Sequence, residues 1–171
     1  MAKDVIDRAV IELRRLTKES VTEKLPLVGA DGYFALEQQK ERIAQESGLD
    51  VETVTHLLNR HGSLISEILE IIDEQPKLAA KLDTDLPYIK AEIVYAATHE
   101  GALTVDDVIS RRTRLSFEAT NHAVYLAEDV AALLAPVLEW SAKDRKESIA
   151  QYVELVEREK AALDQLLEVN S

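Results

Sequence analysis

The sequence contains no cysteine, and this absence excludes disulfide bonds, thiolate metal sites and cysteine nucleophiles. Glycine and proline are scarce, with 5 and 4 residues in a chain of 171, which favours long helices over turn-rich sheet folds. Aromatic residues make up 5% of the chain, so we expect a core of Leu, Ile, Val and Ala. No apolar run approaches the length of a transmembrane helix, and the acids within MAKDVIDRAVIELRR exclude a signal peptide. The chain is therefore predicted to be cytoplasmic.

Positive charge is also in short supply. The formal net charge is -12, and such a surface repels nucleic-acid backbones and anionic lipid. We therefore expect no nucleic-acid partner. Hydrophobic residues at 46% and charged residues at 30% are typical of a globular protein, and 171 residues suffice for one domain with a sizeable core.

Apolar residues recur at helical spacing through most of the chain, and no segment alternates as a strand does. Gly48 suits a helix C-terminus, while Thr104 with Asp107 and Ser141 with Asp144 have the spacing of capping boxes. The fold class is predicted to be all-α, a compact multi-helix bundle with a long C-terminal helix. The predicted helices cover residues 2–19, 34–47, 50–60, 63–74, 87–100, 104–113, 115–138 and 142–168.

The first predicted helix is set apart from the others. Residues 20–33 break the helical pattern, and Pro26, Gly29 and Gly32 mark them as a linker. We therefore divide the chain into a terminal helix over 1–19, a linker over 20–33 and a helical accessory domain over 34–171. The terminal helix is expected to pack against another surface, inside this chain or outside it, through its stripe of Val5, Ile6, Ala9, Val10, Leu13 and Leu16.

Motifs of catalysis and cofactor binding are missing. The phosphate-binding patterns GxGxxG and GxxxxGK[ST] and the metal-binding pattern HExxH have no match. The pairs Glu52/His56 and Glu118/His122 have i,i+4 spacing and are interpreted as exposed structural pairs on helices. His61 is interpreted as a residue at a helix end, where partial positive charge is favourable. We predict no catalytic, cofactor-binding or metal-binding residue.

Residues 40–59, KERIAQESGLDVETVTHLLN, have the spacing of two short helices joined by a tight turn, as in a helix-turn-helix. A DNA-reading helix normally carries Arg, Lys, Asn or Gln with basic flanks. The second helix here would present Asp50, Glu52, Thr53, Thr55 and His56. The segment is therefore interpreted as helix packing, and it leaves open an alternative function as an independent acidic helical interaction or regulatory module.

Three arginines stand together near the middle of this acidic chain. Planar guanidinium groups suit bidentate pairing with carboxylates, so we expect a buried ion pair here. The candidate set is a structural or interface clamp formed by Glu100, Asp107, Arg111, Arg112 and Arg114. Three interpretations stay open: an internal clamp, a contact between domains or subunits, and a phosphate site.

The same segment resembles a known family. The run from Leu86 to Trp140 is similar to the C-terminal helical domain of bacterial FAD-dependent glycerol-3-phosphate dehydrogenases and of the related glycerophosphate oxidases. The family pattern Glu-x-Ala-x-Thr-x-x-Asp-x-[Leu/Ile]-x-Arg-Arg-Thr-Arg-Leu is matched at Glu100, Ala102, Thr104, Asp107, Ile109, Arg111, Arg112, Thr113, Arg114 and Leu115. Residues 1–7 and the linker segment 25–30, LPLVGA, also resemble the family.

The resemblance implies a parent flavoprotein of glycerol metabolism, an oxidoreductase that converts glycerol 3-phosphate to dihydroxyacetone phosphate. Electrons would pass through FAD to quinone or oxygen. In the family, the flavin-binding and substrate-binding residues lie upstream, so none is carried onto this chain. FAD is expected in the parent and not in this fragment, which is predicted to be inactive alone. The resemblance also implies that residues 1–19 belong to the FAD domain, and it is compatible with a homodimer and with a peripheral place at the inner face of the cell membrane.

Overall fold

In a computed structural model, the protein is all-α, as predicted. The structure describes residues 2–13, 18 and 21–169, with side chains up to residue 165. In these ranges no strand forms, and the only isolated β-bridge joins Lys81 to Ile89. The α-helices are α1 (Ala2–Glu12), α2 (Tyr33–Glu37), α3 (Lys40–Ser47), α4 (Val51–His61), α5 (Ile65–Glu74), α6 (Lys90–Thr98), α7 (Leu115–Glu118), α8 (Ala127–Val137) and α9 (Ala142–Val169). The long C-terminal helix α9 matches its prediction.

The local signals that define these helices act as expected. Asp50 accepts a hydrogen bond from the amide of Thr53 at 2.6 Å and so caps α4. Gly48 ends α3 with a φ of 73°, a conformation that glycine adopts without a steric penalty. Ser141 and Asp144 form a reciprocal capping box at the start of α9, with bonds of 3.2 and 2.9 Å.

The segment that was predicted as one helix over 115–138 is broken. Helix α7 ends at Glu118, and Asn121, His122 and Ala123 then take left-handed conformations, with φ near 53 to 55°. Left-handed backbone costs about 1–2 kcal/mol for a residue with a Cβ. The turn buries Ala123 and Leu126 in the core, and the hydroxyl of Tyr152 donates a hydrogen bond to the carbonyl of His122. Tertiary packing therefore overrides the helical pattern.

Two further predicted helices differ from the structure. The segment over 34–47 is split into α2 and α3. Residues 107–112 form a π-helical turn, where the amide of Thr113 donates to the carbonyl of Val108 at 2.9 Å. The hydroxyl of Thr113 donates to the same carbonyl at 2.8 Å, so this side chain ends the turn.

The core has two parts that meet at α6. One cluster lies among α3, α4, α5 and α6, and the other lies among α6, the π-helical turn, α7, α8 and α9. Helix α6 contributes Ala91 and Tyr95 to the first cluster and Ile93 and Ala96 to the second. Because α6 packs against apolar side chains on two sides, a buried polar group on it must find its partners inside the protein.

Helix α1 is different, because none of its residues is buried. Residues 14–17, 19 and 20 of the predicted helix over 2–19 lie outside the described part of the chain. The linker contains a 3-10 turn over Thr22–Lys24 and a turn in which the amide of Ala30 donates to the carbonyl of Leu27 at 3.0 Å.

Candidate functional site

Glu92 is a buried carboxylate in the first turn of α6. Its side chain is 2% exposed. One of its oxygens, Oε2, accepts a hydrogen bond from the amide of Ile89 at 2.9 Å, just before the helix begins. This satisfies one of the free amides of the helix N-terminus and places negative charge at the positive end of the helix dipole. Glu92 therefore has a local structural role that the sequence pattern of α6 explains.

The other oxygen, Oε1, is held by helix α4. His56 Nε2 lies 3.0 Å from it and His61 Nε2 lies 3.3 Å from it. Arg60 Nε lies 3.9 Å away, so three side chains from the last turns of α4 converge on one atom. Since an ionised carboxylate can only accept hydrogen bonds, both imidazoles present an Nε2–H to Glu92.

The balance of these contacts keeps Glu92 ionised. Burial on its own raises the pKa of this carboxyl, because a charge is poorly solvated in the protein interior. The hydrogen bonds from His56 and His61, and that from the amide of Ile89, outweigh burial and lower the pKa to about 2. Glu92 is thus a fixed negative charge that links α4 to α6.

Arg60 extends this network toward the arginine-rich segment. Its guanidinium lies over the ring of Tyr88, with 5.4 Å from Cζ to the ring centre. Its Nη2 donates to the carbonyl of Arg112 at 2.7 Å. The hydroxyl of Tyr88 accepts from the amide of Arg114 at 3.1 Å and donates to Glu118 at 3.1 Å. The network therefore joins the two parts of the core.

The residues of the predicted clamp are spread over two environments. Arg111 pairs with Asp106 and, at 3.1 Å, with Asp107, but its side chain is 54% exposed. Arg112 is partly buried and donates from Nε to the backbone carbonyl of Glu100 at 2.8 Å. The carboxylate of Glu100 lies 4.0 Å from Nδ1 of His61.

The third arginine of the segment is a surface residue. Arg114 pairs with Glu118 at 3.4 Å and is 68% exposed. Of the three arginines, Arg112 is the one whose side chain reaches into the interior, where it donates to the backbone carbonyl of Glu100 and not to a carboxylate. The role of the whole set as a clamp stays a prediction.

Two sequence interpretations of the histidines are wrong. His56 contacts Glu92 of another helix, and its side chain is only 12% exposed, so it is not half of an exposed pair with Glu52. His122 lies beyond the end of α7, in the left-handed turn, and not one helical turn above Glu118. Glu92 itself was missed. The signal that could have found it is a single acid in the otherwise apolar stretch AEIVYAA, at the third position of a helix.

The segment that resembles a helix-turn-helix packs into the bundle. Helices α3 and α4 are joined at Gly48, as the spacing predicted. Thr53 is only 2% exposed, and His56 faces Glu92. Two of the five side chains that a DNA-reading helix would present are therefore turned toward the protein interior.

Exposed apolar side chains are concentrated at the N-terminal end of the described chain. Among the described residues, nine of the fourteen large exposed hydrophobic ones fall between residues 5 and 34. On α1 and at the residue that follows it, these include Val5, Ile6 and Leu13, each more than 60% exposed. We call the apolar surface formed by Val5, Ile6, Ala9 and Val10 of α1, together with Leu13 just after its end, the α1 stripe. A contiguous apolar surface of this kind marks an interaction site.

The usual elements of a flavin-binding site are not found among the described residues. Flavin adenine dinucleotide is typically held by a glycine-rich turn between a strand and a helix, and neither that turn nor a strand occurs in the described ranges. In the same ranges, no group of three His, Asp or Glu side chains is placed to hold a metal ion. No described helix has the length and apolar composition needed to cross a bilayer.

Comparison with known proteins gives a consistent set of relatives. The sequence pattern of the C-terminal domain of alpha-glycerophosphate oxidase matches residues 20–145. Glycerol-3-phosphate dehydrogenase 2 of Mycobacterium tuberculosis is 43% identical over 159 residues, which is 93% of this chain and 27% of that protein. Glycerol-3-phosphate dehydrogenase of Mycobacterium leprae has the same identity and the same two coverages. A mitochondrial glycerol-3-phosphate dehydrogenase of Arabidopsis thaliana is 29% identical over 175 residues, which is 95% of this chain and 28% of that protein. The chain thus spans about a quarter of the length of these relatives. No solved structure matches it.

Proposed function

Because this chain belongs to the family of C-terminal domains of alpha-glycerophosphate oxidase, we propose that it is the accessory domain of an FAD-dependent glycerol-3-phosphate dehydrogenase. The parent protein oxidises glycerol 3-phosphate to dihydroxyacetone phosphate. The observation that carries this proposal is that the match to the relative from Mycobacterium tuberculosis covers 93% of this chain but only 27% of that relative. Such a match is expected when the chain corresponds to one domain of a longer enzyme.

In this proposal the chemistry belongs to the preceding part of the parent. FAD, when bound there, supplies the electron-accepting ring for oxidation of the substrate. Glu92 and its partners contribute no group to that reaction, because Glu92 is buried between α4 and α6. Their role is to hold α4 and α6 together, and through Arg60 and Arg112 to hold the arginine-rich segment on the bundle.

The α1 stripe supports a contact between domains. Burying one large aliphatic side chain contributes about 1.5–3 kcal/mol, so burying Val5, Ile6 and Leu13 contributes roughly 5–9 kcal/mol before ordering costs. Residues 1–19 therefore belong with the preceding FAD domain, residues 20–33 connect the two, and residues 34–171 form the accessory bundle. The exposed pairs of Arg111 and Arg114 are available to the same domain or to a second subunit.

The experiment compares the full open reading frame that contains this chain with the chain alone. The full protein should carry flavin absorbance through gel filtration and should reduce a dye acceptor when glycerol 3-phosphate is added. The chain alone should do neither. Flavin retained by the chain alone, or a full protein that does not oxidise glycerol 3-phosphate, would sink the proposal.

A second arm tests the contact through α1. Ile6→Asp in the full protein should lower the temperature at which activity is lost, because a charge would enter the apolar interface. The matched control is Phe117→Asp, at a side chain that is 79% exposed and lies on α7. Equal effects of the two substitutions would remove the argument for an interface on α1.

A further inference from the structure

Gly29 of the linker and Gly62 at the end of α4 are in direct backbone contact. The carbonyl of Gly29 accepts a hydrogen bond from the amide of Ser63 at 2.8 Å. A Cβ atom at position 62 would overlap the carbonyl oxygen of Gly29, and one at position 29 would overlap the carbonyl oxygen of His61. Both glycines also have positive φ, 79° and 59°. The approach is therefore possible only with glycine on both sides.

A second contact fixes the same segment a few residues later. The hydroxyl of Tyr33, the first residue of α2, donates to Asn59 of α4 at 2.8 Å. The linker is thus attached to one helix at two points, Gly62 and Asn59. We call residues 25–34 the joint. Two attachments to a rigid helix make the joint part of the bundle and not a free tether.

The joint nevertheless exposes four large apolar side chains, Leu25 and three that are more than 80% exposed. Leu27 is 81% exposed, Val28 is 89% exposed and Phe34 is 82% exposed. Leu27 and Val28 stand on the turn that is closed by the bond from the amide of Ala30 to the carbonyl of Leu27. Single exposed apolar side chains are normal on a protein surface, but several of them grouped on one fixed segment mark an interaction site.

We propose that the joint is a preformed docking surface on which Leu27, Val28 and Phe34 contact the preceding domain of the parent enzyme. This inference rests on the proposed function and names the residues of the contact. The occupant follows from the comparisons, since this chain covers only 27% of its mycobacterial relative and matches a C-terminal domain. It also follows from continuity, because the joint comes soon after the α1 stripe in the chain. The Gly29–Gly62 contact then sets the orientation of the bundle on its partner domain.

The absence of cysteine from the chain allows a direct test by thiol labelling. Val28→Cys, Phe117→Cys and Ile6→Cys are introduced singly into the full protein. The labelling rate of each new thiol by a maleimide is measured by mass spectrometry of its peptide, folded and in denaturant. Phe117 is the matched control, because it is 79% exposed and lies on α7.

We expect the Val28→Cys thiol to react at least about tenfold more slowly in the folded protein than in denaturant, since labelling then requires the interface to open. The Phe117→Cys thiol should react at nearly the same rate in both states. Equal reactivity at the two positions would overturn the inference. Slow labelling at position 28 that is lost on dilution would also overturn it, because a second copy would then be the occupant. If Ile6→Cys is protected and Val28→Cys is not, the proposed function stands and the docking role of the joint fails.

The glycine contact has its own matched set. Gly29→Ala should restore rapid labelling of the Val28→Cys thiol, because the added methyl group detaches the joint from α4. Gly32→Ala is the control, since Gly32 lies in the same linker with a φ of 75° and has no neighbour within 4 Å of an added Cβ. If Gly29→Ala and Gly32→Ala both restore rapid labelling of the Val28→Cys thiol, or if neither does, the Gly29–Gly62 contact does not hold the docking surface. The same labelling comparison is made at the other side of the contact, with Gly62→Ala as the test and Gly48→Ala as the control, because Gly48 also has positive φ but has no neighbour within 4 Å of an added Cβ.

Discussion

Replacing Glu92 by glutamine tests the buried network most severely. Glutamine keeps the size of the side chain and one carbonyl oxygen, so the bond from the amide of Ile89 can persist. The negative charge is lost, and the amide group now meets His56 and His61 where a carboxylate oxygen stood. Arg60 loses its nearby counter-charge at the same time. Removing one partner from a buried charged network is more costly than removing an exposed pair.

The magnitude follows from the pKa of Glu92. The folded protein lowers this pKa from an ordinary value of 4.5 to about 2. Each pKa unit corresponds to about 1.4 kcal/mol, so the ionised form contributes about 3 kcal/mol to the free energy of unfolding at neutral pH. For a chain of this size, that loss lowers the melting temperature by about 6–12 °C.

The same pKa fixes the pH dependence. Because the folded pKa lies below the unfolded one, the contribution of Glu92 is fully present above pH 4.5 and is lost as the pH falls through about 2. The wild-type protein should therefore lose this part of its stability between these two values. The Glu92→Gln variant has no such carboxyl to protonate, so the difference in stability between the two proteins should shrink across that range.

Urea denaturation followed by circular dichroism at 222 nm measures both effects. The matched control is Glu128→Gln, because Glu128 is 78% exposed and pairs with Arg145 only at 3.4 Å on the surface. An exposed pair contributes less than about 1 kcal/mol. Two results would refute this account of the network. One is that Glu92→Gln lowers the free energy of unfolding by no more than Glu128→Gln does. The other is that the difference in free energy of unfolding between Glu92→Gln and wild type does not shrink toward pH 2.

Three further substitutions test separate parts of the structure, each by urea denaturation. Tyr88→Phe removes a hydroxyl that bonds to the amide of Arg114 and to the carboxylate of Glu118, and should lower the free energy of unfolding by about 1–2 kcal/mol. An unchanged free energy of unfolding would show that these bonds contribute nothing to stability. Arg112→Lys should lower the free energy of unfolding by about 1 kcal/mol, because the hydrogen bond from Nε to the carbonyl of Glu100 is lost. Arg111→Lys should lower it by less than about 0.5 kcal/mol, because the ion pairs of Arg111 are exposed. Thr104→Ala should lower the free energy of unfolding by about 1 kcal/mol, because it removes the hydroxyl that accepts a hydrogen bond from the amide of Asp107 at the start of the π-helical turn. Thr104→Ser is the control, since it retains the hydroxyl.

The sequence predicts those features of the fold that depend on near neighbours in the chain. The capping box of Ser141 with Asp144, the left-handed glycine at Gly48 and the long helix α9 each follow from residues within a few positions of one another. Their energies are local, so helical spacing and capping rules suffice to place them. The family was identified from a contiguous segment for the same reason.

The features that the sequence did not predict depend on contacts between distant residues. Glu92 meets His56 across 36 positions, and no local pattern specifies that distance. The left-handed turn at 121–123 exists because Tyr152, on a later helix, bonds to the carbonyl of His122. The Gly29–Gly62 contact likewise joins a linker to a helix end. In each case tertiary packing decides between conformations that local propensity leaves close in energy.

We propose that this chain contacts the rest of its parent enzyme through the α1 stripe and the joint. Hydrogen exchange of the amides of α1 measures this contact directly. A free helix of 11 residues is only marginally stable, so in the chain alone these amides should exchange almost as fast as unstructured ones. In the full protein they should exchange at least about a hundredfold more slowly, because exchange then requires opening of the interface, while α6 should be equally protected in both. Equal exchange of α1 in the two proteins would contradict the account.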